Sequence, residues 1–125
     1  MKKAVNTSKA PAPIGPYSQA IKNGNTLYVS GQIPLDPSTG ELVQGDIQAE
    51  TRQVMKNLGA ILEEAGMSFQ HVVKTSIFVK SMEDFAKVNE IYGEYFDEVP
   101  PARETVQVSA LPKYVGVEIS CIAID

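Results

Sequence analysis

Residues 46–80, DIQAETRQVMKNLGAILEEAGMSFQHVVKTSIFVK, decide the fold. Their first half repeats apolar residues at helical spacing, with Ile47, Val54, Leu58, Ile61 and Ala65 on one stripe. Asp46 stands where an N-cap is wanted, and Gly66 stands where a helix stops. The second half changes period. From Val72 to Lys80 the side chains alternate: Val73, Thr75, Ile77 and Val79 share one face of a strand, Lys74, Ser76 and Lys80 the other. A one-faced helix followed by a one-faced strand predicts two packed layers.

Working outward, Ser81 opens a second helix with Asp84 three residues on, and Met82, Phe85, Val88, Tyr92 and Phe96 form its stripe. Upstream, Tyr17–Lys22 and Thr26–Gln32 are β-rich runs about Asn23-Gly24-Asn25, a hairpin signal. With Asn23 and Gly24 as the central turn residues, paired positions sum to 47 and Tyr17 lies opposite Ser30. Pro34 to Gly45 reads as a turn-rich loop. Beyond Val99-Pro100-Pro101, strands Arg103–Ser109 and Val115–Ile124 are expected to form a second hairpin through Leu111-Pro112-Lys113-Tyr114. The order hairpin, helix, strand, helix, hairpin is α+β, with two helices on one face of one mixed sheet in a single domain spanning residues 1–125.

Composition narrows the chemistry. The 125 residues are 43% apolar and 21% charged, the balance of a folded domain. The single Cys121 excludes an internal disulfide and a Cys-rich metal site, and the single His71 excludes a histidine cluster. No apolar run approaches 20 residues, so no membrane span is expected, and the Met-Lys-Lys start lacks the apolar segment of a signal peptide. A cytoplasmic location is therefore expected. A net charge of −4 without a basic stripe disfavours nucleic acid. No GxGxxG, Walker or GxSxG element is present.

The strand faces supply the candidate site. Placing Val106 and Val108 with Val117, Ile119, Cys121 and Ala123 on the core puts Arg103, Thr105 and Gln107 beside Glu118 and Ser120 on the far face. Phe78, Ile122 and Ile124 share that face, which implies partial burial in an oligomer. Arg103 is either an ion-pair partner of Glu118 or a bidentate carboxylate clamp. Glu118 is either that counter-charge or a group that orients water. Asn89 is an amide inside an apolar stripe, bonded to a loop backbone or edging a pocket. Tyr17 follows the rigid Ile14-Gly15-Pro16 turn and either packs or walls a pocket. Gly31, within Ser30-Gly31-Gln32, lets the backbone approach another group closely. His71 reads as a surface residue, and Cys121 as a small buried hydrophobe.

Three separated motifs carry a resemblance: Ala12-Pro13-Ile14-Gly15-Pro16-Tyr17-Ser18-Gln19-Ala20, Tyr28-Val29-Ser30-Gly31-Gln32-Ile33-Pro34 and Pro101-Ala102-Arg103-Glu104-Thr105. With Val72-Val73-Lys74-Thr75, Phe78-Val79 and Phe85 to Asn89, they resemble the Rid (YjgF) family over essentially the whole chain, and most of all its RidA subgroup of 2-iminobutanoate/2-iminopropanoate deaminases. The resemblance implies a chorismate-mutase-like fold and a homotrimer with an inner barrel of sheets, outer helices and sites in the clefts between subunits. It implies no metal or organic cofactor. The implied chemistry is hydrolysis of reactive enamines and imines, released by pyridoxal-phosphate-dependent dehydratases, to 2-oxo acids and ammonia. Carried over by position, Arg103 would bind the substrate carboxylate and Glu118 would position or activate water. Tyr17, Ser30, Gly31, Asn89 and Thr105 would shape the pocket. Thr105 stands where such proteins often have cysteine, and Ser120 where a second carboxylate is common. Other classes compatible with the residues are a non-catalytic binder of small 2-oxo acids, an RNA-cleaving translation inhibitor and a chaperone-like oligomer.

Overall fold

A computed structural model describes residues 1–125. Its strands are β1 (Lys3–Val5), β2 (Ala20–Asn23), β3 (Thr26–Gln32), β4 (Leu35–Asp36), β5 (Glu41–Leu42), β6 (Val72–Val79), β7 (Ala102–Gln107) and β8 (Val117–Ile124), and its helices are α1 (Ile47–Glu64) and α2 (Phe85–Gly93). Six strands make one sheet in the order β1-β2-β3-β8-β6-β7, and β4 and β5 form a separate small hairpin. All pairs in the large sheet are antiparallel except β6 with β7, so the sheet is mixed, as expected.

Helix α1 begins where its cap requires: the Asp46 carboxylate accepts a hydrogen bond from the Gln48 N–H. It ends at Glu64, and Gly66, two residues on with a φ of +75°, turns the chain away at no Cβ cost. Val54, Leu58 and Ile61 are buried against Leu27, Val29, Ile77, Val117 and Ile119, within one core of 19 apolar residues. Ser81 caps a short 3₁₀ turn, Met82–Asp84, and α2 follows it. Met82 is exposed and leaves the apolar stripe, while Val88, Ile91 and Tyr92 are buried.

Three expectations need correction. The first hairpin pairs Asn23 with Thr26 and Ala20 with Val29, so paired positions sum to 49. Gly24 and Asn25 are the central residues; only Gly24 has positive φ, at +61°, the pattern of a type II′ turn. The shift of two residues keeps every side chain on its expected face, but β2 starts at Ala20 and leaves Tyr17 in the preceding loop. Next, Val73 does not point to the core. It is the extra residue of a bulge between Val72 and Lys74, which leaves it 44% exposed and buries Val72 instead.

The largest correction concerns the last two strands, which form no hairpin. Strand β6 lies between β7 and β8, and β6, α2 and β7 form a parallel crossover. Arg103 pairs with Thr75, and Thr105 with Ile77. Thr75 and Ile77 are buried beneath the helices, so Arg103 and Thr105 face the helix layer and Val106 turns outward, 42% exposed. Glu118 pairs with Phe78 on the opposite face. Arg103 and Glu118 are therefore on opposite sides of the sheet.

Candidate functional site

The site residues fall into two clusters. The first is built on α2 and the edge strand β7. Phe85, Asn89 and Tyr92 are spaced i, i+4 and i+7, so one face of α2 presents all three to the sheet. The Arg103 guanidinium donates to Asn89 Oδ1 at 2.7 Å and lies 5.1 Å from the Tyr92 ring centre and 5.6 Å from that of Phe85. Both rings are within cation–π range. The partner of Asn89 is thus Arg103 and not loop backbone. Two residues along β7, the Thr105 hydroxyl is the one buried side-chain polar atom with no hydrogen-bond partner. A buried hydroxyl left unpaired costs about 1–3 kcal/mol, and this one stands two residues from Arg103 on the same face of β7. A cavity of about 400 Å³ adjoins the guanidinium, walled by Tyr92, Phe96, Pro100 and Pro101.

The second cluster lies around β3 and the outer face of β8. Between Val29 and Gln32, β3 spends one residue more than β8 does between Cys121 and Ile119, a bulge that holds Ser30 and Gly31. Ser30 Oγ donates to the Ser18 carbonyl at 2.6 Å, which ties the bulge to the loop bearing Tyr17. Half of Tyr17 is exposed. The Glu118 carboxyl lies against Gly31: a Cβ at that position would stand 2.5 Å from Glu118 Oε2. Half-burial without a charged partner raises the Glu118 carboxyl above its ordinary range.

A Gly31→Ala substitution meets no conformational barrier, so its effect is steric. It is expected to keep the fold and swing the Glu118 carboxylate out of place. A crystal structure and a thermal melt of Gly31→Ala check this: the fold should be kept, with the Glu118 side chain displaced.

No contact joins the clusters, and two strand spacings, about 10 Å, separate Glu118 from Thr105. The structure pairs Arg103 with Asn89, Ser30 with Ser18 and Glu118 with Gly31, and it does not bring Arg103 to Glu118. The outer face that holds Glu118 also carries exposed Tyr28, Val106 and Ile124 beside half-buried Ile21, Phe78 and Ile122. That is an apolar surface without a partner in the single chain.

The sequence reading did not single out Gln19 or the Tyr92–Thr75 pair. Gln19 is buried; its Nε2 donates to the carbonyls of Thr7, Ala10 and Pro11, and its Oε1 accepts from the Thr7 N–H. It staples the N-terminal segment to the start of β2, two residues from Tyr17. Its sequence signal was an amide beside the apolar Ala20-Ile21 run. Tyr92 belongs to the apolar stripe of α2, and its hydroxyl also bonds Thr75 Oγ1 at 2.7 Å.

The remaining candidates are structural. Burial pushes the Cys121 thiol up to about 12, which makes it inert as a nucleophile. His71 Nδ1 accepts from the Ser68 N–H in a local capping box. No three His, Cys, Asp or Glu side chains are grouped to hold a metal ion, and no helix is long and apolar enough to cross a membrane.

Known proteins resemble this chain over almost its whole length. A mouse 2-iminobutanoate/2-iminopropanoate deaminase is 52% identical over 125 residues, covering all of this chain and 93% of its own length. Among solved structures, a putative endoribonuclease from Thermotoga maritima superposes with a TM-score of 0.97 at 54% identity, covering all of this chain and 98% of the other. Escherichia coli TdcF with bound serine superposes with a TM-score of 0.94 at 41% identity, covering 98% of each chain. The family model described as Endoribonuclease L-PSP matches residues 7–125, and the chain belongs to that family, known also as the Rid or YjgF family.

Proposed function

We propose that this protein hydrolyses reactive 2-enamine and 2-imine acids, such as 2-aminoacrylate, 2-iminopropanoate and 2-iminobutanoate, to 2-oxo acids and ammonia. The observation that carries the reading is the Arg103 guanidinium, fixed by Asn89 between two rings beside the unpartnered Thr105 hydroxyl. A planar guanidinium with free N–H edges matches a carboxylate. The names of the mouse and rat relatives and the serine bound to TdcF support a small amino-acid-derived ligand.

The two clusters serve one reaction if subunits meet edge to face. The edge strand β7 of one copy then brings Arg103, Asn89 and Thr105 to the Tyr17, Ser30, Gly31 and Glu118 cluster of the next. Such contact also covers the exposed Tyr28, Val106 and Ile124. A homotrimer with three such clefts is the assembly we propose. Arg103 anchors the carboxylate; Glu118 holds water against the electrophilic imine carbon. Addition of water gives a carbinolamine, whose collapse releases ammonia and leaves the ketone. An imine is reactive already, so orientation supplies most of the gain.

The test couples the protein to a pyridoxal-phosphate-dependent dehydratase that releases 2-iminobutanoate and follows 2-oxobutanoate formation. The expected result is release well above the buffer rate, from a particle of three-chain mass. Release at the buffer rate, with 2-oxobutanoate still bound by Arg103, would make the protein a ligand-binding regulator.

A further inference from the structure

Thr75 breaks the pattern of its strand. The core-facing residues of β6 are otherwise Val72, Ile77 and Val79, and Thr75 is 1% exposed among them. A valine of nearly the same shape would fill that place without a hydroxyl to satisfy. The hydroxyl's partner is the Tyr92 hydroxyl, 2.7 Å away, on a side chain only 5% exposed. Thr75 is also the cross-strand partner of Arg103, on the same face of the sheet. The Tyr92 ring therefore spans the pair: its hydroxyl end is pinned to β6, and its face lies 5.1 Å from the guanidinium on β7. Phe85 lies 5.6 Å from the guanidinium and Asn89 accepts its N–H, but neither is hydrogen-bonded to the sheet except through Arg103 itself.

We propose that Thr75 and Tyr92 are positioning residues for Arg103, their buried hydrogen bond fixing the aromatic face against which the guanidinium presents its N–H edge to a ligand carboxylate. This rests on the reading of Arg103 as the carboxylate clamp. An arginine side chain has many rotamers, and ordering them at the moment of binding weakens the complex. A ring locked to the sheet leaves less to order. The device acts on binding of the carboxylate and hardly on the hydrolytic step, so KM should rise while kcat is nearly kept.

The experiment uses Thr75→Val, Tyr92→Phe and the double variant in the full-length protein. The readouts are calorimetric titration with 2-oxobutanoate, KM and kcat on dehydratase-generated 2-iminobutanoate, and Tm. Each single variant strands one buried hydroxyl and is expected to lower Tm. The double variant removes both and should regain Tm, because replacing both partners by apolar groups is close to neutral. Its affinity for 2-oxobutanoate should nevertheless stay three- to tenfold below wild type, with KM raised by a like factor. A merely structural pair would regain affinity along with Tm, and that result would overturn the inference. Thr75→Ser keeps the hydroxyl and should keep affinity; a loss equal to that of Thr75→Val counts against the proposal. Arg103→Ala separates the two levels: wild-type affinity there overturns the clamp itself, whereas lost affinity there with an unaffected double variant overturns only the positioning role.

Discussion

Replacing Arg103 by alanine is expected to lower kcat/KM for 2-iminobutanoate by about thirtyfold to several thousandfold. A charge-assisted contact of this kind is typically worth about 2–5 kcal/mol, and each 1.36 kcal/mol is a factor of ten. The substitution also leaves Asn89 Oδ1 and two aromatic faces without their cation. Because Arg103 is on an edge strand and only half-buried, the core beneath β7 is expected to survive, with circular dichroism unchanged. Arg103→Lys keeps the charge but not the planar fork, so it should recover only part of the activity. Full activity of Arg103→Ala with dehydratase-generated substrate would remove the clamp from the mechanism.

The second large effect is expected from Glu118→Gln, and it should fall mainly on kcat. The amide keeps the shape beside Gly31 but is a poorer acceptor for a water proton, and positioned acid–base groups are typically worth about 10²–10⁴-fold. A change confined to KM would contradict a role with water. Burial within the single chain raises the Glu118 carboxyl, and a guanidinium brought to it in the proposed cleft lowers it, so the acid limb of the wild-type rate profile reports their balance and should vanish in the glutamine variant. The stability consequence of burial has a definite sign. Between the unfolded and the raised folded pKa, the folded chain binds more protons than the unfolded one, so stability falls as pH rises through that window. In an Arg103→Ala background, which lacks that guanidinium, adding Glu118→Gln should leave Tm unchanged below the window and raise it above. Thermal melts across pH 3 to 8, roughly spanning the carboxylate range, read this directly.

What the sequence disclosed and what it hid have separate physical causes. Helix α1 was legible from end to end because its cap, stripe and stop are local features, and each works the same way in any fold. The first turn was harder. Asn23-Gly24 and Gly24-Asn25 are both good hairpin centres, and the choice between them rests on backbone twist, not composition. Strand β7 misled through its alternation. Val106 and Val108 read as the inward face by the usual rule, but Arg103 and Thr105 turn toward α2. There Phe85, Asn89 and Tyr92 supply a cation's partners, which local periodicity cannot show. The same inversion separated Arg103 from Glu118. Each residue was identifiable as chemistry-bearing, but their placement on opposite faces depended on β6 lying between β7 and β8, a long-range fact of topology.

The buried Cys121 has a practical consequence. With its thiol held near 12 and packed under α1, the chain's sole sulfhydryl will not react with maleimides or disulfide reagents while the protein is folded. Any cysteine introduced at the surface is then the one reactive thiol in the molecule. Placed at exposed Glu64, on the helix layer away from the outer sheet face, a single fluorophore reports subunit exchange with no need to strip native thiols first. The same burial makes Cys121 an internal clock for unfolding, because its alkylation rate in native buffer measures how often the core opens.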